Sequence, residues 1–178
     1  YNSALGEGSL QSNTSGTHNA AVGYSALYEN TTASWNTAVG DLALTTNTTG
    51  TNNSAFGHQA LKFNTTGNFN TALGLNALAL NTTASNNTAV GYQAAYSTTT
   101  AGNNVAVGYQ ALYANTTGQL ATAVGYQALR NNNGDTYCTA LGARTLTSNT
   151  SGSENVAAGD LSLNSNTTGN YNTAYGNR

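Results

Sequence analysis

Proline and methionine are absent from this sequence, cysteine occurs once, and only 6% of the residues are charged. Each shortage excludes something. A single thiol, Cys138, closes no internal disulfide and builds no thiolate metal site. A soluble globular domain carries about 25% charged residues, so this surface is of another kind. A net charge of -2 gives no basic footprint for nucleic acid. No apolar run approaches the roughly 20 residues of a membrane span, and no secretory leader is visible. With no initiator Met and both ends inside a repeat, the chain reads as a segment of a longer polypeptide. No membrane contact is expected from this segment.

Asn, Thr, Gly, Ala and Ser fill the rest in a fixed order. The Ala-x-Gly element recurs at a spacing of 17 residues from Ala4-Leu5-Gly6 to Ala174-Tyr175-Gly176 with no insertion. The alanines Ala21, Ala38, Ala55, Ala72, Ala89, Ala106 and Ala123 and the glycines Gly23, Gly40, Gly57, Gly74, Gly91, Gly108 and Gly125 form the structural ladder of this period. Counted from its first Asn, the unit is Asn-Thr-Ala-Val-Gly-x-x-Ala-Leu-x-x-Asn-Thr-Thr-Gly-x-x. Such periodicity means that each unit stacks on a near copy of itself.

The Thr-Ala-Val part is short, β-branched and bounded by Gly and Asn, which predicts a strand. Asn-Thr-Thr-Gly predicts a turn, because Asn bonds its own backbone and Gly tolerates positive φ. The Ala-Leu pair between them is expected to begin a second short strand, since six residues such as 109–114 are too few for a helix. The reading is all-β: a parallel β-solenoid, or β-roll, of about ten and a half 17-residue coils, spanning residues 1–178 as one repeat array. At about 4.8 Å per coil the rod is roughly 50 Å long.

Alternation separates two strand faces. One carries Asn, Ala and Gly; the other carries Thr or Ser and then an apolar residue. Two restricted faces predict one packed inside the coil and the other against a second chain. The alternative is that Gly and Ala relieve crowding at a bend.

Catalytic chemistry has no foothold. Glu7, Asp41, Asp135, Glu154 and Asp160 form no recurring carboxylate pair, and His18 and His58 occupy different repeat positions. No phosphate loop, zinc-protease helix or nucleophile elbow occurs. No enzyme activity, cofactor or metal is therefore expected. Cys138 replaces an Asn and reads as a tolerated small residue, with a bond to another chain as the sharper alternative. Tyrosines gather at the sixth position, where Tyr24, Tyr92, Tyr109 and Tyr126 are candidates for glycan contact. Asn13, Asn30, Asn47, Asn64, Asn81, Asn115, Asn149 and Asn166 match the N-glycosylation acceptor, although turn chemistry explains them without any sugar.

The elements Asn53-Ser54-Ala55-Phe56-Gly57-His58-Gln59-Ala60 and Asn87-Thr88-Ala89-Val90-Gly91-Tyr92-Gln93-Ala94 resemble the head repeats of trimeric autotransporter adhesins. They are also similar to repeats in phage-tail-fibre-like proteins. The adhesin repeat is shorter, and the Asn-Thr-Thr-Gly turn lengthens this one. The resemblance implies a left-handed β-roll with three chains side by side, an extracellular place on a cell surface or virion, and partners that are copies of itself and surface glycans. The function expected is a structural, adhesive fibre segment. The rival is an ice-binding solenoid built on threonine ladders, weighed against by the adjacency of the two threonines, which on a strand would point to opposite sides.

Overall fold

The computed structural model describes residues 1–134 and 137–177; Asp135 lies outside them. Every repeat contributes one three-residue strand: β1 (Ser3–Leu5), β2 (Ala20–Val22), β3 (Thr37–Val39), β4 (Ser54–Phe56), β5 (Thr71–Leu73), β6 (Thr88–Val90), β7 (Val105–Val107), β8 (Thr122–Val124), β9 (Thr139–Leu141), β10 (Val156–Ala158) and β11 (Thr173–Tyr175). They form one parallel sheet in sequence order. The register is the repeat itself: Thr88 pairs with Val105, Ala89 with Ala106 and Val90 with Val107. The chain is a β-solenoid with no helix among the described residues.

The middle strand residue points inward. Ala21, Ala38, Ala55, Ala72, Ala89, Ala106 and Ala123 are all completely buried, because the interior of so thin a coil admits nothing larger opposite the strand. The core is completed by the eighth-position alanines, such as Ala60 and Ala111, and the ninth-position leucines, such as Leu61 and Leu112. The fourth-position side chains point out. The Asn-Ala-Gly face is therefore the interior, and the apolar column lies on the surface.

The Ala-Leu pair is not a second strand. It sits in a turn whose seventh and ninth residues have positive φ, as at Gln110 (52°) and Leu112 (51°). Coil-to-coil bonding nevertheless continues through this turn. Gln110 N donates to Tyr92 O of the coil before at 2.9 Å, and Leu112 N donates to Ala128 O of the coil after at 3.0 Å. The two positive-φ residues thus send their N–H groups to the coils on either side, while Ala111 N between them donates to Gly108 O of its own coil at 3.4 Å and closes the turn. A left-handed L-residue costs about 1–2 kcal/mol, so a coil would not hold this shape alone. Its neighbours impose it.

Candidate functional site

Two asparagine columns line the interior and account for much of the composition. At the first position, Asn70 Oδ1 accepts from Asn87 N at 3.0 Å and Asn87 Oδ1 accepts from Asn104 N at 2.9 Å. At the twelfth position, Asn64 Nδ2 donates to Asn47 Oδ1 at 2.8 Å. Both columns then converge on one carbonyl per coil: Gly67 O accepts from Asn53 Nδ2 at 2.8 Å and from Asn64 Nδ2 at 3.0 Å. An isolated polar group buried in so narrow a core would cost heavily; an in-register column lets each amide bond to the next, and Asn81 Oδ1 and Asn132 Nδ2 are the exceptions in the twelfth-position column, buried without a partner.

The asparagines of the glycosylation motifs belong to the twelfth-position column. Asn30, Asn47, Asn64, Asn81, Asn115 and Asn149 are completely buried, and Asn13 and Asn166 are half-buried. In all eight, Nδ2 donates to the carbonyl three residues on, at 2.7–3.1 Å. Nδ2 is the atom a glycan would join, and in the folded coil it is engaged in this bond. Turn and ladder chemistry account for these residues.

The fifth-position glycines are fixed by geometry. Gly91 has φ +131°, and a Cβ added to it would lie 2.6 Å from Gly108 O of the next coil. Cys138 occupies the first-position asparagine column. Its Sγ donates to Gly152 O and accepts from Asn155 N, both at 3.4 Å. Burial pushes the thiol above its ordinary value, against a lowering contribution from the Asn155 hydrogen bonds.

The outward columns differ from these in chemistry and in regularity. The fourth position is apolar in every coil: Leu5, Val22, Val39, Phe56, Leu73, Val90, Val107, Val124, Leu141, Ala158 and Tyr175. Val39 is 36% exposed, Phe56 39% and Leu73 49%. A contiguous apolar stripe of this length is uncommon on a monomeric soluble protein.

The sixth-position tyrosines are brought together in part. Tyr92, Tyr109 and Tyr126 stack along the rod, with ring centroids 5.2 Å apart and planes tilted by 15° and 13°. Tyr24 stands apart, between Glu7 and Asp41 in the same column, and its backbone N donates to Asp41 Oδ1 at 3.3 Å. Stacking covers both faces of Tyr109, so a sugar cannot lie flat on it. Beside the rings, Gln110 Nε2 donates to Gln93 Oε1 at 2.9 Å and Gln127 Nε2 to Gln110 Oε1 at 3.1 Å. Tyr96 and Tyr113 form a second stack, capped by the Arg130 guanidinium 5.2 Å from the Tyr113 ring.

The position just before the first Asn was not singled out from sequence, and it holds a third aromatic group. His18 stacks on Trp35 at 3.9 Å, with Tyr1 5.4 Å beyond. Its only sequence signal is a recurring large side chain at a φ-positive site, since His18, Trp35, Phe69, Leu120 and Tyr171 all have φ near 60°.

The two adjacent threonines do different work. The first donates to the coil above, as Thr48 Oγ1 does to Thr65 O and Thr65 Oγ1 to Thr82 O, both at 3.0 Å. The second, at Thr32, Thr49, Thr66, Thr83, Thr100 and Thr117, is exposed in every case. Among the described residues no three His, Cys, Asp or Glu side chains lie together as a metal cluster would require, and no helix is long and apolar enough to cross a membrane. No protein family, curated protein or solved structure matches this chain.

Proposed function

We propose that this chain is an extracellular fibre segment: a stiff, adhesive rod, without enzymatic activity, that associates laterally with copies of itself. The observation that carries the reading is the unbroken apolar column from Leu5 to Tyr175 on the outside of the coil. A solenoid needs only its inner face buried, and that need is already met by the alanine, leucine and asparagine columns. Side-by-side contact between chains buries the outer column in increments that grow with coil number, whereas the translational and rotational cost of association is incurred once per chain. A long array therefore associates where a single coil would not. The resemblance to adhesin head repeats makes a homotrimer on a cell surface or virion the assembly proposed.

Sedimentation and light scattering of the purified chain test this. The expected species is a trimer, and replacing Val39, Val90 and Val124 together by Lys should give a monomer with an unchanged β-sheet circular dichroism spectrum. A wild-type chain that stays monomeric at high concentration would overturn the reading.

A second reading, an ice-binding surface, draws support from the exposed threonine column. Other outward columns drift between coils: the sixth position holds Glu7, Asp41, His58, Leu75 and Ala143 as well as tyrosines, whereas the fourteenth keeps Thr from Thr32 to Thr117. The fold uses the neighbouring Thr48 hydroxyl, so two threonines side by side still leave one regular row facing water at the coil spacing. Thermal hysteresis that falls on replacing Thr49, Thr66 and Thr83 by Lys would favour this reading; none in the wild type would exclude it.

A further inference from the structure

The sixth-position column stops abruptly. Tyr92, Tyr109 and Tyr126 stack one on the next, then the column continues with Ala143 and Asp160. Register is kept across the change: Arg144 N donates to Tyr126 O at 2.7 Å and Leu161 N to Ala143 O at 3.0 Å. Ala143 therefore puts a methyl group where the next ring of the stack would stand. One face of Tyr126 is covered by Tyr109, and the next two residues of the column on its other side are Ala143 and Asp160. Tyr126 is correspondingly more exposed than Tyr109, 49% against 43%.

The far side of this gap is polar. Asp160 Oδ2 lies 4.0 Å from Arg144 Nη2, with the two side chains 44% and 50% exposed. That is too long for a direct hydrogen bond, and the other carboxylate oxygen of Asp160 is buried with no partner. Oδ1 is thus out of reach of a ligand, whereas Oδ2 and the Arg144 guanidinium belong to half-exposed side chains that make no direct hydrogen bond to each other.

We propose that the gap over Ala143 binds one uncharged pyranose residue of an exposed oligosaccharide. Two coil spacings, about 9.6 Å, separate the levels of Tyr126 and Asp160. A sugar ring in carbon contact at roughly 4 Å from the Tyr126 face has the other half of the gap for its hydroxyls. Its polarised C–H face meets the negative face of the phenol ring. A hydroxyl placed between Asp160 and Arg144 donates to the carboxylate and accepts from the guanidinium, two charge-assisted bonds. The pair is neutral overall, which selects against an acidic sugar. The site is one ring in size because Asp160 stands in the same column one coil beyond Ala143. Tyr92 offers no equivalent, since its outer neighbour is Leu75.

This inference rests on the adhesive part of the fibre reading, and it is separable from self-association. The test is saturation-transfer difference NMR of the full chain with the methyl pyranosides of glucose, galactose, mannose and N-acetylglucosamine. At least one should show transfer concentrated on the protons of one ring face. Ala143→Tyr fills the gap with a residue that the same repeat position already carries in Tyr126, so the coil tolerates it, and transfer should vanish. Tyr126→Ala should weaken binding about ten-fold, the loss of one strong aromatic contact, and Tyr92→Ala should leave it unchanged. If Ala143→Tyr disturbs the circular dichroism spectrum, Ala143→Leu, matching Leu75, makes the same test. No transfer from any of the four sugars, or transfer that survives a folded gap-filling variant, would overturn the proposal. A chain that binds no sugar yet sediments as a trimer loses only this inference, whereas a monomer that binds sugar loses only the assembly.

Discussion

Replacing Gly91 by Val tests whether the glycine column is a physical requirement. Gly91 lies just after β6 at φ +131°, a region nearly closed to residues with a Cβ. A Cβ there would approach Gly108 O to 2.6 Å and Gly108 C to 2.8 Å. The contact atoms are backbone and cannot swing aside, because Gly108 N donates to Val90 O at 2.8 Å and Gly91 N to Leu73 O at 2.8 Å. Forced backbone strain costs about 1–3 kcal/mol and overpacking about 1–3 kcal/mol, so the variant should lose about 2–6 kcal/mol at this interface. The control is Gln93→Ser. Ser25 already holds that repeat position at φ 51°, against 53° for Gln93, and the change removes one half-buried side-chain bond worth about 0.5–1.5 kcal/mol. Urea unfolding should be followed both by circular dichroism and by fluorescence of Trp35, the one tryptophan. In a stack coupled through nearest neighbours, a broken interface at Gly91 separates the coils around Trp35 from those beyond Gly108. The two probes should then diverge in Gly91→Val and coincide in the wild type and in Gln93→Ser. Identical midpoints for the two variants would refute the steric account.

Further outcomes follow from the interior columns. Thr98 interrupts the twelfth-position asparagines and leaves its own Oγ1 and Asn81 Oδ1 buried without partners; Thr98→Asn should raise stability by about 1–3 kcal/mol, measured by urea denaturation. Asn64→Ala removes the donor to Asn47 Oδ1 and should cost about 1–3 kcal/mol, whereas Thr66→Ala on the outside should stay within about 0.5 kcal/mol. Because burial raises the Cys138 thiol in the folded chain, the unfolded chain gives up this proton first as pH rises. Its stabilising contribution is full below the ordinary thiol range and declines as pH climbs toward the raised folded value. Cys138→Asn should abolish that alkaline decline and, by restoring the column, raise stability at neutral pH.

The spacing of the alanines made the fold legible before any coordinates. An interval that never varies leaves parallel in-register stacking as the economical outcome, and β6 and β7 pair on it residue for residue. Strand alternation also separated Ala89, which is buried, from Val90, which is not. The turn after the strand was not legible. Leu112 is a good strand or helix residue by propensity, and nothing local predicts φ 51° for it; that conformation exists because Ala128 of the next coil receives its N–H. The asparagines were legible as turn residues, but their partners lie a whole coil away, so the convergence of Asn53 and Asn64 on Gly67 O emerges only in the assembled stack. The gap beside Tyr126 was hidden for a related reason. An alanine after three tyrosines looks like drift until those tyrosines are seen to be a pile of rings that ends at Tyr126.

The in-register stack also sets what kind of inheritance the molecule tolerates. Strand pairing runs only from each coil to the next, so duplication or loss of one complete unit changes the reach of the rod and leaves every column pointing where it did. Slippage by any other number of residues would misalign the asparagine and glycine columns at once. Length can therefore change only in whole coils if the columns are to stay aligned, while drifting outward positions such as the sixth are places where one substitution alters the display of a single coil. The molecule is a ruler whose marks can be rewritten coil by coil and whose length is counted in whole coils.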